Sequence, residues 1–234
     1  MTAFTSSDKK FGEFGGINFR ASRQAWYLDR QHKADVQNFV SLVKKALPYF
    51  GKYVDLPEGT TVRLAGIKKW VTKGNWTEGQ KLATIDYRNK FADMMGTLAH
   101  EFVHGEQYLQ GRLRVGTERG TYGVQYWHGD AYKGKEKNKY ARYLNQPWEV
   151  EARERQFEIA HKVWCDMFDD GLVSIKAIAN NVGILWLKKQ RPEIYEAVLA
   201  DEAKRVASLA STCAGYNLPL RFFISPCMNT PSMK

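Results

Sequence analysis

An α+β fold is what this sequence predicts, and three observations predict it. Two short runs, residues 61–67 (TVRLAGI) and 82–87 (LATIDY), are rich in β-branched and apolar residues and read as strands. An amphipathic helix follows almost at once, from residue 91 to about 112, with a histidine spacing suited to metal binding. From Pro147 onward the pattern is helical, so strands gather in the first half of the chain and helices in the second.

Taken in order, residues 1–20 are rich in Gly, Ser and Lys and are expected to be loosely held. Residues 34–50 have helical spacing, with Val36, Phe39, Val40, Val43 and Leu47 on one stripe. Between the two strand-like runs, residues 72–80 (TKGNWTEGQ) carry the Gly and Asn of a turn or loop. Residues 116–146 are rich in Gly and Tyr, with a short hairpin expected at 122–128. Pro147 stands where a helix tolerates a missing N–H, in its first turn, and that helix should run to about residue 169. Two more helices are expected near 172–189 and 192–211, and the tail from 225 to 234 reads as irregular. One domain over 1–224 accommodates these elements, since 234 residues can bury a single good core.

Composition narrows the function. No apolar run approaches the roughly 20 residues needed to span a bilayer, and the first residues lack the apolar stretch of a secretory signal. A cytoplasmic protein is expected. Three cysteines, Cys165, Cys213 and Cys227, are too scattered for a disulfide framework or a cysteine-based zinc site. A net charge of +10 suits association with nucleic acid or another acidic surface. Only residues 133–142 (KGKEKNKYAR) concentrate that charge, and a solvated basic loop is the preferred reading of them.

Residues 97–107, TLAHEFVHGEQ, carry the chemistry. A helix advances about 100° per residue, so His100 and His104 lie one turn apart on one face and both imidazoles can reach a single tetrahedral ion. Glu101 lies close enough to take a proton from a water that the ion activates. The helical wheel separates a polar stripe (Asp93, Gly96, Thr97, His100, Glu101, His104, Gln107, Tyr108) from an apolar one (Phe91, Met95, Leu98, Phe102, Leu109). One side can pack while the other faces a cleft. Catalytic zinc takes three protein ligands, and no histidine continues this motif after His104. Residues 146–153 (QPWEVEAR) open the next helix and offer Glu149 and Glu151. Glu149 falls near the middle of that helix's packed stripe (Trp148, Ala152, Ile159, Ala160, Val163) and Glu151 at its flank, so spacing leaves both open.

HEFVH followed by PWEVEA resembles the gluzincin-type, zincin-like metallopeptidases, particularly the small ones common in phage genomes. Trp127-His128-Gly129 is similar to these proteins too, and the resemblance covers about residues 60–165. It implies a zincin-like fold with a small sheet packed on the motif helix. It also implies zinc held by His100, His104 and Glu151, with Glu101 as general base in peptide hydrolysis. Arg155 departs from the pattern, because some gluzincins place a carboxylate there to orient a ligand histidine. A donor for the oxyanion of the tetrahedral intermediate is also needed. His128, Tyr126 and Tyr143 carry suitable groups, and His128 is the candidate catalytic residue among them; His32 and His161 read as structural or surface histidines. The partner expected is a protein or peptide substrate, and the location cytoplasmic, in the host if the chain is phage-encoded. Two other classes fit the same residues: a basic protein associated with nucleic acid, including a protease working near DNA, and a zincin scaffold that binds without hydrolysing.

Overall fold

The structure is a computed structural model that describes residues 8–22, 25, 35–67, 73–88, 91–117, 119–134 and 138–215. His32, residues 135–137 of the basic run and the tail 225–234 lie outside the described residues, as do the side chains of Val36, Phe39 and Phe91. The chain falls into two compact units, Met1–Val173 and Ser174–Lys234.

The first unit opens with β1 (Lys9–Phe14) and β2 (Ile17–Ala21), an antiparallel hairpin, in a stretch expected to be loose. The alternation of Ile17, Phe19 and Ala21, all buried, is what seats β2. α1 (Asp35–Phe50) then crosses over to β3 (Thr61–Ala65), which pairs parallel to β2, as a helical crossover allows. Next come β4 (Gly74–Thr77), a single 3-10 turn (Glu78–Gln80) and β5 (Leu82–Asp86). β5 pairs parallel to β3 and antiparallel to β4, giving the sheet order β1-β2-β3-β5-β4. All five residues of β5 are buried, the pattern of a strand covered on both faces. Residues 72–80 are therefore not simply a loop. Local turn chemistry there is outweighed by pairing with β5.

α2 (Phe91–Leu109) carries the histidine motif and packs its apolar side inward: Met95, Leu98 and Phe102 are buried, and Phe102 meets Phe50 of α1 edge to face at 5.1 Å. Leu109, at the end of the predicted stripe, is 51% exposed, because the packing ends a residue or two before the helix does. A small second sheet follows, β6 (Leu113–Val115), β7 (Gln125–Trp127) and β8 (Asp130–Ala131), then α3 (Lys139–Leu144). The expected hairpin at 122–128 turns instead at His128-Gly129, between β7 and β8. α4 (Pro147–Asp169) has its proline in the first turn and packs along α2 and α1.

The second unit holds α5 (Ile175–Asn181), α6 (Ile184–Gln190) and α7 (Pro192–Gly215). The helix expected over 172–189 is split in two at Val182-Gly183, where Gly183 caps α6. Ile178, Leu187, Ile194 and Val198 are buried. The fold is mixed α+β, and no helix among the described residues is long and apolar enough to cross a membrane.

Candidate metal centre

The site is assembled where α2, α4 and β4 meet. On α2 the rings of His100 and His104 stand one turn apart, 4.8 Å between centroids and nearly perpendicular. Their Nε2 atoms approach to 3.1 Å. From α4 the carboxylate of Glu149 reaches both, 3.3 Å from His100 Nε2 and 3.4 Å from His104 Nε2. These three residues form the one group of metal-ligating side chains among the described residues whose ligand atoms lie within 4.8 Å of one another.

Two tests ask whether a cation fits. The first is geometric. Bond lengths of about 2.0–2.2 Å from zinc to imidazole nitrogen or carboxylate oxygen put tetrahedral ligand atoms about 3.3–3.6 Å apart. The two Nε2 atoms are 3.1 Å apart, and each lies near such an edge from a different oxygen of Glu149, Oε2 for His100 at 3.3 Å and Oε1 for His104 at 3.4 Å. The second is chemical. His104 Nδ1 faces Gln107 Oε1 at 2.9 Å, and His100 Nδ1 faces Gln156 Oε1 at 3.1 Å. An amide oxygen only accepts, so each ring carries its proton on Nδ1 and, when neutral, turns a bare Nε2 inward. Two lone pairs and a carboxylate then converge, and Glu149 Oε2 is buried with no hydrogen bond. Arg153 Nη1 lies 3.9 Å from that oxygen, at the limit of an ion pair, and a cation among the three side chains would add to this compensation. The residues fit a metal ion.

Burial pushes the Glu149 carboxyl up, but the two imidazoles outweigh it and hold it well below the usual carboxylate range. His104 is pulled down by burial, yet Glu149 and Glu101 leave it raised overall. Glu101 is raised by burial, against the lowering pull of both histidines. Its carboxylate accepts a hydrogen bond from the backbone N–H of Trp76 on β4. That strand lies very close to α2. A Cβ on Gly74 would stand 2.8 Å from Glu101 Oε1, and one on Gly105 would stand 2.8 Å from the Trp76 ring. The two glycines let β4 and the motif helix touch, which is why Glu101 is held at the floor of the cleft.

A cleft of ≈ 210 Å³ opens above these groups. Asn75 and Trp76 line one side, Leu113, Gln125, Tyr143 and Trp148 the other. Tyr143, from α3, hydrogen-bonds to Glu149, and burial together with that carboxylate keeps its phenol protonated far into the alkaline range.

Of the residues predicted from sequence, His100, Glu101 and His104 come together as expected. Glu151 does not join them, and Glu149 takes its place. Residues two apart on a helix point about 200° apart, so only one of the pair can face the histidines. Glu149 sits at the middle of the packed stripe, 6% exposed, while Glu151 turns to Arg112 and Arg155. Arg155, the departure from the resemblance, is thus Glu151's partner. His128 does not line the cleft. It is exposed, with φ of 50° beside Gly129 at 92°, the paired left-handed backbone of a tight hairpin turn. Trp127-His128-Gly129 is turn chemistry. Tyr126 lies on β7 and does not line the cleft either. Trp76, Gln107 and Gln156 are site residues that the sequence reading did not assign. Gln107 shows on the polar stripe of α2, and Gln156 lies seven residues after Glu149, on the same face of α4.

Comparison with family models, with curated proteins and with solved structures gives no match for this chain.

Proposed function

We propose that this protein is a zinc-dependent peptidase of zincin-like fold. The observation that carries the reading is the convergence of His100 Nε2, His104 Nε2 and the Glu149 carboxylate beside the buried Glu101. Two imidazoles and one carboxylate suit zinc among the common divalent ions, and three protein ligands leave a position open for chemistry. When bound there, zinc would polarise a carbonyl and make water a stronger acid.

The chain's own groups do the rest. Glu101, held by the Trp76 N–H, takes a proton on its free oxygen from the attacking water and passes it to the leaving amine. A carboxyl raised by burial is a stronger base than a solvated one, which suits it to the first half of that exchange. Tyr143, whose phenol remains protonated, supplies a donor for the negative charge that develops on the carbonyl oxygen. A peptide substrate is favoured by β4: among the described residues no strand lies beyond it, so its outer edge can pair with an extended chain along the cleft.

Metal analysis and a Glu101→Gln variant test the reading together. About one zinc per chain is expected, and the variant should keep its metal and fold while turnover falls by about 10²–10⁴. Full activity in metal-free protein would sink it. Zinc content of Glu149→Gln and Glu151→Gln, measured side by side, tests the ligand set: only the former should lose its metal.

A further inference from the structure

We infer that Glu151 is a positioning residue for His104, acting through Gln107; its effect on metal affinity rests on the metal reading above. Gln107 is fully buried and its side chain has three neighbours. The amide nitrogen donates to the Trp148 backbone oxygen at 3.0 Å and to Glu151 Oε2 at 3.2 Å. Both partners only accept. Turning the amide over would set its oxygen against two acceptors and leave one of its two N–H groups unpaired even if the other found the His104 ring nitrogen, at about 1–3 kcal/mol for each unsatisfied group. The oxygen must therefore face His104, which fixes the proton on Nδ1 and leaves Nε2 bare.

Trp148 alone occupies one of the two amide N–H groups. Glu151 occupies the other, and Glu151 is itself held. Arg112 and Arg155 both grip its carboxylate, Arg155 at 3.0 Å, and both also reach the buried Glu106. Glu106 is anchored in turn by the backbone N–H of Asp55 at 3.1 Å. A continuous chain of contacts therefore runs from Glu106 through the two arginines to Glu151, Gln107 and the His104 ring. If Glu151 only tied α4 to the segment after α2, its loss would not depend on Gln107.

The experiment is a double-mutant cycle with two readouts. Zinc affinity is measured by competition with a chelator, and the His104 tautomer by ¹⁵N spectroscopy of metal-free protein at alkaline pH, with the imidazoles neutral. Gln107→Met and Glu151→Leu should each weaken zinc binding about 10–100-fold, the usual cost of losing such a support. In the Gln107→Met background, Glu151→Leu should add almost nothing. The tautomer should be Nδ1–H in the parent and mixed in both variants, while Glu151→Gln, which keeps an acceptor, should retain the parent's tautomer. Equal affinity losses in both backgrounds, or an unchanged tautomer in the variants, overturn the proposal. A parent that binds no zinc overturns the metal reading alone. The tautomer shift then supports the positioning role, and its absence overturns it. If Glu151→Leu does not fold, Glu151→Ser, which leaves both arginines to Glu106, takes its place with the same outcomes.

Discussion

On one side of the cleft, β4 presses so close to α2 that neither Gly74 nor Gly105 has room for a Cβ. Elsewhere around it, Gln125 of β7 is half-buried and Tyr143 is 41% exposed. The close-packed wall holds Glu101 through the Trp76 backbone. The open wall offers Gln125 and Tyr143 to whatever enters. Close packing thus surrounds Glu101, and looser structure borders the opening of the cleft.

The largest effect should come from crowding the close wall. Gly105→Val drives side-chain carbon into the Trp76 ring and should lower stability by about 1–3 kcal/mol, read by denaturant unfolding. A variant as stable as the parent would mean that β4 yields freely and the walls do not differ. Next is Tyr143→Phe on the open wall, which should lower kcat/KM about tenfold, or ~1.4 kcal/mol of barrier. A stability loss with normal kinetics would move Tyr143 from chemistry to packing.

A smaller effect concerns the strand beneath β4. Asp86, at the end of β5, is raised by burial, but Arg88 and the backbone N–H groups of Arg88 and Ile67 bring it below the ordinary carboxylate value. A depressed folded value means that its contribution is present above the unfolded pKa and lost as pH falls through the folded one. Unfolding free energy should therefore fall as pH drops below roughly 4, and Asp86→Asn should flatten that acid slope. Identical slopes would remove Asp86 from the account. The smallest change is expected from Gln125→Ala, half-buried on the open wall, within about 0.5 kcal/mol of the parent's stability. A larger loss would show that the second sheet supports the site as firmly as the first.

The close wall was also the harder one to read. The motif helix was legible because burial and metal binding both impose a helical period on the sequence, and His100, Glu101 and His104 follow from that period alone. β3 and β5 were legible as apolar runs. β4 was not, since Gly-Asn-Trp-Thr has turn chemistry, and its strand state comes from β5 and from an approach that only glycine permits. The third ligand divided two kinds of reasoning. The packed stripe of α4 pointed to the middle position, Glu149, and the resemblance pointed to Glu151. Burial was the better guide, because a ligand shared between two helices must lie on the face they share. The Gln107 and Gln156 supports are fixed only by tertiary contact, and a polar stripe alone does not distinguish them from solvated side chains.

The two helices that supply the ligands are pinned together just before and just after the open wall. Gln107 bonds to Trp148, and Glu106 to Arg155, so residues 110–146 leave and return at fixed points. Once the ends of an excursion are fixed, its length matters little: doubling it adds only about 0.6 kcal/mol of closure entropy. Residues 116–134, which leave Arg112 in place, can therefore be lengthened, shortened or exchanged without moving the histidines. A library that varies them alone would sample new clefts over an unchanged cluster of His100, His104 and Glu149.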